Sequence, residues 1–385
     1  MQGNDRDGSN RDHCSQLLRF TSLSSKLLKR GNDPYTEASK MEIRWPNLPD
    51  ELLEQISKRL GLKEFSALGA ACTNFFRFYK HQKKLFMQSQ PPFVILKTPH
   101  AKKSCSFFCL SARQTFRVVL PYFWGKAYVG FSGGYMIMTG GGLLWLVNPF
   151  TREQLHIPES PFSDYCISES DQAIHASITG SEDFVIVSIS SWSSFLDVYH
   201  SRNSRWVNFA FNGGPWRVMD IVVFKGRIYA ITDKAEIGVL SLTSPKLTLL
   251  ELKSSPSLDP DSVKLVGSDD HLLVVSFIPL KNLEVYKIDF SGMEWVKLDT
   301  LGDQALFLGK YRKGSALRNP SRWGYNSNCV YYIGYAPPVC HIYSMENRLV
   351  SSIRVAAGDP AASKLCCIDW YHPHQFSSPN YVQDE

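Results

Sequence analysis

The sequence has no long apolar run. No stretch approaches the ~20 residues a helix needs to cross a bilayer, so no membrane partner is expected. The opening residues, Met1-Gln2-Gly3-Asn4-Asp5, are polar and lack the apolar centre of a signal peptide, so secretion is not expected. The nine cysteines are odd in number and scattered. That pattern argues for reduced thiols and a place in the nucleus, the cytoplasm or both. Dense Lys/Arg blocks are missing too, and the net charge of +6 is modest, so nucleic acid is not an expected partner. The short basic patch Lys26-Leu27-Leu28-Lys29-Arg30 reads as a solvated or weakly helical tail segment rather than a localisation signal.

Motifs that carry chemistry are also wanting. Thr139-Gly140-Gly141-Gly142 lacks the following Lys and Ser/Thr of a phosphate loop and precedes a strand, so it reads as a turn. Cys105 and Cys109 have no second ligand pair at zinc spacing. Adjacent Cys366-Cys367, with His372 and His374 nearby, suit neither a disulfide nor tetrahedral ligation. No Gly-x-Ser-x-Gly elbow occurs. No catalytic residue, metal or cofactor is therefore expected, and the chain does not read as an enzyme.

What is present is a helical segment followed by many short strands. Hydrophobic content of 44% and charged content of 20% are those of a globular chain. Residues 1–40 are rich in Ser, Asn, Asp and Gly and read as a disordered tail. Residues 41–88 read as three helices. Pro49 suits the first helical position, and Asp50 and Glu51 place negative charge in the first turn. Leu52, Leu53, Ile56 and Leu60 share one apolar face. Lys58 and Arg59 would sit in the last turn, with Gly61 as a left-handed cap. A second helix is expected over Lys63–Cys72, with Phe65, Leu68 and Cys72 on one face. Gly69 inside it is a flaw costing about 1 kcal/mol against Ala. Thr73 or Asn74 would cap a third helix carrying Phe75, Phe76, Phe78, Tyr79, Leu85 and Phe86. Three such helices hold more apolar surface than they can bury among themselves. Either they cap the β region of the same chain, or they dock onto another helical protein.

Ser89-Gln90-Pro91-Pro92 ends the helices. From Phe93 onward, apolar runs such as Asp220–Phe224 and Arg227–Ile231 alternate with turns such as Lys225-Gly226. The unit is strand, tight turn, strand, strand, recurring at roughly 40–60 residues, the scale of propeller blades. A blade cannot bury both faces alone, so the array must close into a ring. The expected fold class is α+β, mainly β: three small helices, then a β-propeller of about six blades over residues 89–376, then a tail, 377–385. Five or seven blades, or a pair of β-sandwiches, are the alternatives. The two ends of the ring should share a blade, although no closing strand can be picked out.

Two resemblances follow from these residues. The segment Trp45–Tyr79 resembles an F-box, the motif that binds the Skp-type adaptor of SCF ubiquitin ligases. Leu48-Pro49-Asp50-Glu51-Leu52-Leu53 matches its opening, and Ile56, Arg59-Leu60 and Cys72 follow at its spacing. Ala71, Phe75 and Glu64 depart from the usual Val, Trp and Asp, and the usual Arg is displaced to Arg77. The resemblance implies that Leu48, Pro49, Leu52, Leu53, Ile56, Leu60 and Leu68 contact the adaptor, and through it cullin. The β region resembles the plant KIB-type propeller that commonly follows an F-box. The matching pieces are Leu146–Glu153, Asp220–Ala230, Val285–Asp289 and, most sharply, Leu301–Gly309. Together they imply a substrate receptor of an SCF-type ligase, with a target protein on the propeller. A propeller scaffold outside any ligase is the alternative.

Turn-rich segments of the propeller place aromatic residues and Arg, which are enriched at interface anchors. The candidate target contacts are Trp192, Trp216, Arg322, Trp323 and Tyr325, each with the competing reading of packing between blades. Lys310–Asn328 is the candidate recognition loop, being long, basic and poor in strand pattern.

Overall fold

The computed structural model describes residues 48–97, 104–120, 125–162, 172–189, 195–210, 217–242, 246–259, 262–277, 283–309, 314–334, 339–355, 366–373 and 381–383. The expected N-terminal tail, 1–40, lies outside these. Residues Pro49–Glu385 form one compact unit. Its helices are α1 (Asp50–Ser57), α2 (Leu62–Gly69) and α3 (Thr73–Gln88).

The strands follow in blade order. Blade 1 takes β1 (Phe93–Lys97), β2 (Ser104–Cys109) and β3 (Gln114–Val119). Blade 2 is β4 (Ala127–Ser132), β5 (Tyr135–Thr139), β6 (Leu143–Val147) and β7 (Gln154–Pro158). Blade 3 is β8 (Gln172–Ile178), β9 (Phe184–Ile189), β10 (Phe195–His200) and β11 (Arg205–Ala210). Blade 4 is β12 (Val218–Phe224), β13 (Arg227–Thr232), β14 (Ile237–Ser241) and β15 (Lys246–Leu249). Blade 5 is β16 (Val263–Gly267), β17 (Leu272–Phe277), β18 (Leu283–Asp289) and β19 (Glu294–Leu298). Blade 6 is β20 (Gln304–Leu308), β21 (Gly314–Arg318), β22 (Cys329–Ile333), β23 (Val339–Ser344) and β24 (Val350–Arg354). Two strands come back from the C-terminal end: β25 (Cys366–Tyr371) and β26 (Tyr381–Val382). The chain is thus mainly β, with six sheets arranged as blades.

The burial pattern explains why the sequence reads as apolar runs. Inner strands have a neighbouring blade on each face, so β9 is buried along most of its length. Outermost strands alternate instead, as β3 does with exposed and half-buried residues in turn. The core lies between blades. Phe307, Tyr331 and Cys340 of blade 6 pack with Val94, Leu96 and Phe108 of blade 1, and Val185, Val187 and Val198 of blade 3 pack with Ile221 and Ile228 of blade 4.

The closing strand is β25. It pairs antiparallel with β1, Phe93 opposite Tyr371 and Val94 opposite Trp370, and becomes the innermost strand of blade 1. Its Cys366-Cys367 start hid it, because two adjacent thiols are not a strand signal.

Three sequence expectations are corrected. Lys310–Asn328 is not one loop. It holds β21, which pairs with β20 and abuts β16, and a 3-10 turn over Pro320–Trp323. Small residues at the start of β21 serve this tight seam: a Cβ on Gly314 would stand 2.4 Å from Val266 Cγ2. They carry little strand signature, which is why the pattern faded. Blade 6 therefore has five strands, with β20 and β22 running parallel. The tail 377–385 is not wholly outside the ring either, since β26 pairs with β8.

Bulges interrupt three inner strands, between Tyr128 and Gly130, between Val218 and Asp220, and opposite Ile95 and Leu96 on β25. Each adds a residue and sharpens the local twist. Two of them precede buried carboxylates that link blades. Asp220 Oδ2 accepts from Leu265 N–H of blade 5 at 2.7 Å, and Asp369 Oδ2 accepts from the Tyr128 hydroxyl of blade 2 at 2.6 Å.

His175 on β8 gives the fold a pH dependence. The ring is buried beside Tyr135 and Phe184, with centroids 5.8 and 5.3 Å away. Burial pushes its pKa down to about 4. The unfolded chain therefore takes up a proton below about pH 6.5 that the folded chain refuses. The associated stability is complete above that pH and is lost as pH falls towards 4, by about 2–4 kcal/mol in all. Melting temperature should fall over that window, and His175→Phe should flatten the fall. An unchanged slope in that variant would remove His175 as its source.

Candidate functional site

The helical segment is built around one aromatic cluster. Phe65 of α2 stacks on Phe86 of α3 with centroids 3.8 Å apart, and Tyr79 lies 5.2 Å from Phe65. Leu53, Leu62, Phe75, Phe78 and Met87 complete the buried set. Gly69 is required here: a Cβ on it would stand 2.6 Å from Tyr79 Cγ, so α2 and α3 could not approach. What the sequence showed as a flaw is a packing necessity.

Local caps also differ from expectation. Pro49 is the N-cap rather than the first helical residue, and its carbonyl accepts from Leu52 and Leu53 N–H at 3.1 Å. Helix α1 stops at Ser57, so Lys58 caps it and Arg59 follows it; Lys58 Nζ pairs with Glu54 Oε1 at 2.8 Å. Gly61 has φ −76° and opens α2 instead of ending α1 in a left-handed turn. Helix α2 spans Leu62–Gly69, which frees Cys72 to cap α3, its Sγ accepting from Phe75 N–H at 3.5 Å. The expected caps Thr73 and Asn74 fall inside the helix.

The seven residues implied as adaptor contacts separate by burial. Leu53 is 0% exposed and wedges α1 into the cluster, whereas Leu52 is 40% exposed. Pro49 is exposed, and Leu48, Ile56, Leu60 and Leu68 are half-buried. Leu52 and Ile56 lie one turn apart on α1, and Leu53 and Ser57, about 100° round the helix from them, are buried. Sequence reasoning placed Phe76 on the third helix without naming it as a contact residue, and it is 47% exposed on α3. Its position one residue after the buried Phe75 was the available signal, since neighbours on a helix point about 100° apart.

Of the candidate target contacts, Trp192 and Trp216 lie outside the described residues. Arg322 is exposed, its guanidinium 5.3 Å from the Trp323 ring centre. Trp323 is half-buried and donates from Nε1 to Ser89 O at 3.1 Å. Tyr325 is 3% exposed and donates to Pro92 O at 2.7 Å; burial holds its hydroxyl well above the usual pKa. Trp323 and Tyr325 thus grip the passage from α3 into β1. Lys83 of α3 adds an ion pair with Glu153 in the β6–β7 turn at 2.6 Å.

At the ring axis a cavity of about 100 Å³ is lined from all six blades, including Ser132, Ile174, Gly267, Ser315, Asp369 and Trp370. Ser315 Oγ and His372 Nε2 meet there at 2.5 Å. Fifty-seven positions separate them, so no sequence motif joined them. Among the described residues, no group of three or more His, Cys, Asp or Glu side chains is placed to hold a metal ion. His374 and the side chains of Cys366 and Cys367 lie outside that description.

Known proteins resemble the chain along most of its length. It is 22% identical to the F-box/kelch-repeat protein At1g57790 of Arabidopsis thaliana, covering 77% of this chain and 84% of that protein. It is 23% identical to the probable F-box protein At1g65740 of the same plant, covering 81% and 95%. Identity to the putative F-box protein At5g55150, also from Arabidopsis thaliana, is 28%, covering 62% and 74%. Residues 107–352, from β2 into β24, match the KIB1-4 beta-propeller family. That match takes in more than half of the chain and all six sheets, and on it the chain belongs to the KIB1-4 beta-propeller family.

Proposed function

We propose that this chain is a plant F-box protein serving as the substrate-recognition subunit of an SCF-type ubiquitin ligase. The three helices dock on a Skp-type adaptor, and through it on cullin. The propeller holds a target protein, and the chain performs no chemistry itself. Catalysis comes from proximity, because a tethered target meets the ubiquitin-charged enzyme at a raised effective concentration. The complex works in the nucleus, the cytoplasm or both.

One observation carries this reading. The small helical segment buries Leu53, Phe65, Phe75 and Phe86 yet exposes Leu52 and Phe76, which supports a docking surface on its outer side. The relatives, named as F-box proteins, supply the kind of partner.

The test is co-purification of the full chain with a Skp-type adaptor. Binding is expected, and Leu48→Lys combined with Leu52→Glu should abolish it. Leu52 is 40% exposed, so Leu52→Glu alone should weaken adaptor binding while changing the unfolding free energy by less than about 0.5 kcal/mol. Failure of the unsubstituted chain to bind would leave the propeller scaffold outside any ligase as the better reading.

A further inference from the structure

The inner edge of β8 carries an added strand from the far end of the chain. In β26, Tyr381 pairs in parallel with Ser177 and Val382 with Ile178. Thr179 donates to Val382 O twice, from N–H at 2.9 Å and from Oγ1 at 3.1 Å. Gln383 N–H then donates to Gly226 O at 2.8 Å, in the β12–β13 turn. The segment therefore spans from blade 3 to blade 4. Val382 is 1% exposed and joins the core that Ile174, Val185 and Ile221 form between those blades. Blades 1, 2, 4 and 5 have four strands each and no such addition among the described residues.

The arrangement has the parts of a strand-addition site: an open backbone edge and one pocket for an alternate side chain. We propose that this slot between blades 3 and 4 is a peptide-binding site whose resident occupant is the chain's own 381–383. Its exchanging ligand is an extended segment of a partner protein that places an aliphatic side chain of about valine size in the Val382 pocket. The residue after it must have a backbone N–H for Gly226 O, which excludes proline there. Naming that partner as a ligase target rests on the receptor reading above; the slot does not.

Three features make the occupant exchangeable. Two residues pair in β26, against four to seven in each strand of the blades. One of its described side chains is buried. The ring is closed independently by β25, so release of β26 opens an edge without opening the propeller. Contacts so few in number belong to the locally opening end of a structure.

The experiment uses the full chain with Val382→Asp, which vacates the slot, and a labelled peptide of residues 377–385 followed by fluorescence anisotropy. The peptide should bind this chain at least about ten-fold more tightly than the unsubstituted chain, whose slot is filled. Peptides carrying Val382→Asp or Gln383→Pro should not bind. Equal binding of these peptides and the parent would overturn the proposal, as would no binding by a Val382→Asp chain that melts cooperatively. Should that chain fail to fold, hydrogen exchange on the unsubstituted protein decides. The Thr179 and Gln383 amides should exchange at least about ten-fold faster than those of β9; exchange only together with β9 would show β26 to be an inseparable part of the fold. Adaptor binding is untouched by these measurements, so failure here leaves the ligase reading standing, and the converse holds.

Discussion

Trp370→Ala is expected to destabilise the propeller by about 3–5 kcal/mol, the range for truncating a fully buried large aromatic. Trp370 is 2% exposed on the closing strand β25. Its ring meets Phe307 edge-on at 4.9 Å, and Tyr331 and Tyr325 lie 6.4 and 6.5 Å away. Edge-to-face pairs add to the burial itself, by about 0.5–1.5 kcal/mol each. Its Nε1 donates to Leu308 O at 3.2 Å, which ties β25 of blade 1 to β20 of blade 6. The residue therefore sits where the two ends of the chain are joined, and the cavity it leaves lies in the closing seam. Trp370→Phe keeps an aromatic ring and loses the N–H, and should cost roughly half as much. Urea unfolding of the three proteins measures this. A loss below about 1 kcal/mol in the alanine variant would mean that the seam repacks and that closure does not depend on this side chain.

The sequence made the blades legible because a blade repeats one simple rule. Runs such as Val185–Val187 and Ile228–Ile231 are buried on both faces, so they appear as unbroken apolar stretches between turns. The rule fails where the ring is irregular. β21 begins with Gly314, Ser315 and Ala316, chosen for closeness to blade 5 rather than for strand propensity. β25 starts with two thiols, and β26 is two residues long. No local pattern can announce a strand whose partner lies hundreds of residues away, as β1 does for β25.

The candidate site was legible to a similar depth. Helical spacing put Leu52, Leu53, Ile56 and Leu60 on one face, yet it could not tell which edge of that face turns inward. Leu53 does, because α3 covers it; Leu52 does not. Phe76 was invisible for the opposite reason, being one more aromatic in a run where most are buried. Trp323 and Tyr325 stood out as recognition residues by type. Their hydrogen bonds to Ser89 O and Pro92 O hold the helical segment to the ring. The same pair thus ties the propeller to the chain where it leaves α3.

Asp220→Ala should cost about 2–5 kcal/mol, for a reason peculiar to a ring. The innermost strand of a blade turns one edge to the axis, and on β12 no further strand among the described residues pairs with that edge. Asp220 stands in for that missing strand between blades 4 and 5. It is 1% exposed; Oδ1 accepts from its neighbour Ile221 N–H at 2.8 Å and Oδ2 from Leu265 N–H at 2.7 Å. Bonds to a charged acceptor contribute about 1.5–3 kcal/mol, and a buried donor left without its acceptor incurs its desolvation in full. Alanine removes both acceptor oxygens at once. Asparagine keeps one oxygen, so Asp220→Asn should lose about half as much. The denaturation midpoint should move while its slope stays unchanged, the mark of altered stability without altered compactness. Asp369 uses the same position after a bulge to accept from Trp370 N–H and the Tyr128 hydroxyl, so Asp369→Ala should behave alike at the seam of blades 1 and 2. If Asp220→Ala loses less than about 1 kcal/mol, water in the axial cavity can replace the carboxylate, and the blades are held by apolar packing alone.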